Sequence, residues 1–82
     1  MNYTETVYRY QIFSHDDLPE EHKEAYRRDG IDPDDIWSLA MSYKTFDAAK
    51  RSLMVLVKDA PRWRTYMMID GGAEKAIERP VY

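Results

Sequence analysis

The chain contains no cysteine, so it has no disulfide framework, no thiolate metal site and no thiol nucleophile. It is almost as short of glycine. The only pair, Gly71-Gly72, stands between two strand-like segments, and no glycine-rich phosphate loop exists. No Gly-x-Ser-x-Gly surrounds Ser14, Ser38, Ser42 or Ser52. Long apolar runs are missing as well. The longest is Leu53 to Val57, far below the roughly 20 residues that cross a bilayer. Met1 to Tyr10 is polar and aromatic and lacks the apolar stretch of a signal peptide, which reads as a cytoplasmic protein with no membrane partner.

Metal chemistry is excluded by spacing. His15 and His22 are seven apart, and there is no His-Glu-x-x-His. Asp32, Asp34 and Asp35 resemble the start of a calcium loop, but Ile36, Trp37 and Tyr43 occupy the positions that need an oxygen ligand, a glycine and a glutamate. Paired carboxylates are present, but in a solvated helix-capping context rather than the buried one that acid–base catalysis uses. The chain therefore reads as a non-enzyme with no cofactor and no metal.

What is present suits one small domain spanning residues 1–82. Of its 82 residues, 44% are hydrophobic and 13% aromatic, enough to fold rather than stay disordered. The net charge of −3 hides a division. Residues 1–41 carry −6 and residues 42–82 carry +3, with nine carboxylates between Asp16 and Asp35.

The pattern predicts six elements. Residues 6–13 read as a strand with Thr6, Tyr8, Tyr10 and Ile12 on one face and Val7, Arg9, Gln11 and Phe13 on the other. A helix over about 18–29 starts at Asp17 as N-cap, with Glu20 at capping-box spacing, and stops at Gly30. Asp32–Asp35 fits a turn or a cap followed by Pro33. Residues 36–43 fit both periods. A strand is favoured, with Trp37, Leu39, Met41 and Tyr43 on one face, because large residues alternate strictly with small ones. Thr45 then caps a helix that Pro61 ends. Residues 63–69 form a strand, Asp70-Gly71-Gly72 a hairpin turn, and 76–82 a returning edge strand. The expected fold is α+β: a two-layer sandwich in β-α-β-α-β-β order, with two helices on one face of a three- to four-stranded sheet.

One layer of helices covers one sheet face, yet both faces of the strands are apolar. The excess points to a partner surface. Met54, Val55, Tyr66 and Met68 are the expected dimer face of a homodimer. The acidic helix, with Asp16, Asp17, Glu20, Glu21 and Glu24, is the expected contact for a basic protein partner. The leading reading is a non-enzymatic protein-interaction module. Small acidic chains of this size class are frequent among phage and mobile-element inhibitors. The alternative is a nucleic-acid-binding domain. Arg62-Trp63-Arg64-Thr65-Tyr66 interleaves cations with rings, so Arg62, Trp63, Arg64 and Tyr66 would contact phosphates and stack on bases.

Overall fold

The computed structural model describes residues 1–81, and Tyr82, the last residue of the expected final strand, lies outside them. The elements are β1 (Asn2–Val7), β2 (Tyr10–Asp16), α1 (Glu20–Arg28), a 3-10 turn (Pro33–Asp35), β3 (Ser38–Tyr43), α2 (Phe46–Asp59), β4 (Arg64–Asp70) and β5 (Lys75–Pro80). The fold is α+β with helices on a sheet, as expected, but the strands pair differently from the sequence reading.

The segment read as one strand over 6–13 is a longer run, Asn2 to Asp16, interrupted at Tyr8–Arg9. Its second half, β2, is the centre of a three-stranded antiparallel sheet in the order β3-β2-β4. Its first half, β1, pairs with β5 in a two-stranded antiparallel ribbon. Asp70-Gly71-Gly72 is consequently not a hairpin turn. β4 and β5 follow the long partner strand, from Arg64 opposite Asp16 to Pro80 opposite Asn2. At the interruption Gly71 N–H donates to the Arg9 carbonyl at 2.8 Å. Gly72 sits at φ +84°, a region glycine enters without steric cost, and its N–H donates to Asp70 Oδ1 at 2.8 Å. Local turn chemistry bends this chain without reversing it, and β5 pairs along its whole length with β1, from Lys75 opposite Val7 to Pro80 opposite Asn2.

Helix ends follow their signals with one exception. Thr45 Oγ1 accepts from Ala48 N–H at 3.3 Å, so α2 begins where expected. Gly30, at φ +76°, and Ile31 donate back to Arg27 and Tyr26, closing α1 in a Schellman motif. Asp32 caps the 3-10 turn by accepting from Asp34 N–H at 2.9 Å, with Pro33 at its first position. Asp17, however, does not cap α1. The helix starts at Glu20 with Pro19 as N-cap and no side-chain capping bond. The Asp17 carboxylate is held by Lys23 at 2.8 Å and its N–H by the Trp63 carbonyl at 2.7 Å.

Directly opposed residues of an antiparallel pair share a face. Tyr10 and Ile12 of β2 therefore lie with Tyr43 and Met41 of β3 and with Asp70 and Met68 of β4. α2 covers this face. Phe46 meets the Tyr10 ring edge-on at 5.9 Å, and Tyr43 Oη donates to Ser52 Oγ at 2.6 Å. Toward the other end of the same face, Leu18, Tyr26 and Pro33 surround a cavity of about 170 Å³ floored by Ser14 and Asp16. The core is small: Ile12 and Ala49 are 0% exposed and Val7 2%. A β-bulge opposite Ile12–Phe13 interrupts β3. It turns Leu39 to the opposite face, against Phe13, so Leu39, Met41 and Tyr43 do not share a face as their alternation suggests.

The chain is extended for its size. Its radius of gyration is 14.8 Å, against about 12 Å for a compact domain of this length. The β1–β5 ribbon projects past the end of β3 as an arm about 20 Å long at 3.3 Å per residue. Among the described residues no helix is long and apolar enough to cross a membrane.

Candidate interaction surface

The sheet face away from α2 is built by β2 residues Gln11, Phe13 and His15, by β4 residues Thr65, Met67 and Ile69, and by Leu39. Strict alternation in β4 makes the contrast direct. Arg64, Tyr66 and Met68 are half-buried beneath the helices, whereas Met67 and Ile69 remain 40% and 39% exposed. Phe13 and Leu39, cross-strand neighbours, continue the apolar patch. At one end the Trp37 ring lies over His15 with centroids 5.2 Å apart, and His15 Nδ1 is 2.8 Å from the Ile36 carbonyl oxygen. At the other end the Gln11 side chain is buried, and its Nε2 finds no hydrogen-bond partner in the structure. A Cβ on Gly71 would come within 2.6 Å of that nitrogen, so glycine allows the backbone to close over the amide.

The expected dimer residues do not form one surface. Tyr66 and Met68 face the helices, because β4 presents its even-numbered residues to α2. Met54 and Val55 point outward on α2, at 64% and 61% exposure, on the far side of that helix. The open sheet face is the odd-numbered side of β4. The alternation was legible, but the choice of side depends on where the helices land.

The acidic segment is partly neutralised from within. Asp16 accepts two hydrogen bonds from Arg64, at 2.7 and 3.1 Å, and these hold its carboxyl below the usual range. Asp17 and Glu20 are lowered likewise by hydrogen bonds from Lys23 and Arg27. Glu24 stands 4.0 Å from Arg28. Among the described residues this leaves Glu21, Asp29, Asp32, Asp34 and Asp35 exposed and without an ion pair. Of the expected contact residues, only Glu21 therefore carries an uncompensated charge. These free carboxylates lie on α1, at its C-cap and in the 3-10 turn before Ile36 and Trp37, while Asp47, Asp59, Glu74 and Glu78 are exposed and without an ion pair elsewhere among the described residues. Among the described residues the side-chain cations without an ion pair are Lys44, Lys50, Arg51, Lys58 and Arg62, on and around α2, together with Lys75. No three His, Asp or Glu side chains gather as a metal-ligand group among the described residues.

The basic–aromatic strand is divided by its own pleat. Arg64 is committed to Asp16, and its guanidinium carbon lies 4.8 Å from the Trp63 ring centroid. Tyr66 faces the helices. Only Arg62 and the half-exposed Trp63 remain outward, and Trp63 borders a groove with Leu18, Pro19 and His22. Compared with known proteins, the chain matches no family model, no curated protein and no solved structure.

Proposed function

We infer that this chain is a non-enzymatic protein-interaction module that receives an apolar, basic-rimmed segment of a protein partner on its open sheet face. The observation that supports it most is the division within β4, where Met67 and Ile69 stay exposed beside Phe13 and Leu39 while the alternate residues are covered. Apolar side chains left on one side of a sheet gain about 25 cal/mol per Å² when a partner removes them from water. The unpaired carboxylates Asp32, Asp34 and Asp35, just before Trp37, add an acidic rim that favours a basic partner and speeds its encounter. The charge of α1 contributes less than its count of carboxylates suggests, since its ion pairs cancel much of it. Inhibition of a host machine by a phage-type chain in the cytoplasm is the narrower form of this reading, and it rests on size and charge alone. The nucleic-acid alternative draws less support, because Arg64 and Tyr66 are occupied within the fold.

The test compares two variants as baits in a cognate extract. Met67→Lys with Ile69→Lys breaks the open face, and Asp32→Lys with Asp34→Lys and Asp35→Lys reverses the rim. A partner retained by the parent chain should be lost with the first variant and weakened with the second. Capture that neither variant changes overturns the surface. Binding to single- or double-stranded nucleic acid with a log–log salt slope near −0.7 to −0.9 per phosphate contact would establish the alternative instead.

A further inference from the structure

The β1–β5 arm is short of structure. β2 and β4 are completed by β3 along one edge of β2 and by α2 on one face. β1 and β5 continue the same two strands but, among the described residues, receive neither a third strand nor a helix. A two-stranded ribbon alone is marginal in water, and three strands or a packed helix are needed for independent stability. Most of the arm is exposed, from Met1 to Thr4 on one strand and at Lys75, Ala76, Glu78 and Pro80 on the other.

The two free edges of the arm differ. The edge of β5 carries Lys75, Glu78, Arg79 and Pro80, the charges and proline that blunt strand addition. The edge of β1 is Asn-Tyr-Thr-Glu-Thr-Val, with two threonines, a valine and a tyrosine, no proline and no glycine. Its single charge, Glu5, is already held by Arg79 at 2.7 Å. This edge runs bare in line with β3, which ends at Tyr43. A strand laid there would continue the line of β3.

We propose that a second copy of this chain fills that position, the two β1 strands pairing antiparallel across a two-fold axis into a continuous β5-β1-β1-β5 sheet. A two-fold axis through Thr4 sets Thr4 against its own copy and Tyr3 against Glu5, with no like charges opposed. The surface available agrees with this. The chain exposes 6400 Å², whereas a compact monomer of 9.8 kDa exposes about 5,200 Å². The difference exceeds the roughly 800 Å² that each partner contributes to a standard interface. Two copies joined at β1 turn two marginal ribbons into one four-stranded sheet. The open face at Met67 and Ile69 is not part of this contact, so self-association and partner capture separate.

The absence of cysteine supplies a clean test. Sedimentation equilibrium of the parent chain should give twice the 9.8 kDa chain mass, and Thr4→Lys with Thr6→Lys should restore the single mass with an unchanged circular dichroism spectrum. Thr4→Cys should oxidise to a covalent dimer, while Lys58→Cys, on the end of α2, should not. Met67→Lys with Ile69→Lys should leave the dimer mass unaltered. A parent chain that stays at 9.8 kDa at millimolar concentration overturns the proposal. So does a dimer that survives the β1 lysines, or one that dissociates on the β4 substitutions, or equal oxidation of the two cysteine variants.

Discussion

The two ends of one ribbon make an internal experiment. Residues 10–16 with 64–70 and residues 2–7 with 75–80 are the same pair of strands, antiparallel throughout, and both are rich in β-branched or aromatic residues. One end holds Ile12 at 0% exposure beneath α2, while the other, beyond the buried Val7 at its base, leaves Tyr3, Thr4 and Ala76 in solvent. Strand propensity is alike at the two ends. The difference lies in what covers them, which illustrates that β propensity largely measures packing against neighbours. The covered end should set the stability of the fold, and the arm should be decided by what it meets.

The largest expected effect is at the covered end. Ile12→Ala removes the most buried branched side chain and should cost about 2–5 kcal/mol, read from a urea midpoint with unchanged slope. The border between the ends comes next. Gly72→Ala forces a Cβ into φ +84° and should destabilise by about 1–2 kcal/mol. Thr45→Ala removes the α2 cap and should cost about 1 kcal/mol. Thr6→Ala, in the arm, should stay within about 0.5 kcal/mol at a dilution where the chain is monomeric. A Thr6→Ala effect as large as that at Ile12 would erase the distinction between the two ends.

Acid should act at the border. The Arg9 guanidinium donates to both Asp70 oxygens at 2.8 Å, and these bonds, with Gly72 N–H, lower the Asp70 pKa from 3.8 to about 2. A carboxyl depressed on folding adds stability above its unfolded pKa and loses it as pH falls through the folded one. The contribution is thus complete above about pH 4 and fades toward pH 2. Asp16, lowered by Arg64, shifts in the same direction. Asp70→Asn should flatten the acid limb of a thermal-stability profile, and the pair is exposed enough that the change at neutral pH should be small.

How much of this was legible in the sequence depends on how local each signal is. Thr45, Pro61 and Gly30 mark helix ends through bonds within a few residues, and they act as they read. Alternation along residues 64–70 separates the two faces of β4 correctly. The failures are non-local. Asp70-Gly71-Gly72 has hairpin chemistry, but whether β5 turns back along β4 is decided by β1, more than 60 residues earlier. The bulge at Ile12–Phe13 turns Leu39 toward Phe13, and nothing within 36–43 announces it. Asp17 has the right type and spacing for a cap, but Lys23 and the Trp63 carbonyl claim it. For the candidate surface, the apolar excess on two faces was visible, and which face stays open was not. The charge count misled for a different reason: Lys23, Arg27 and Arg28, within seven residues, pair Asp17, Glu20 and Glu24, and only Asp16 takes a distant partner, Arg64.

The central claim is that the arm is incomplete in a single chain and is completed by a second copy along β1. Hydrogen exchange of the Asn2–Val7 amides, followed as the chain is concentrated, tests it most directly. The account predicts that β1 amides exchange rapidly in dilute solution and gain protection with concentration, while those of β2 and β4 are protected throughout. β1 protection equal to that of β2 in dilute solution, and unchanged on concentration, would contradict it.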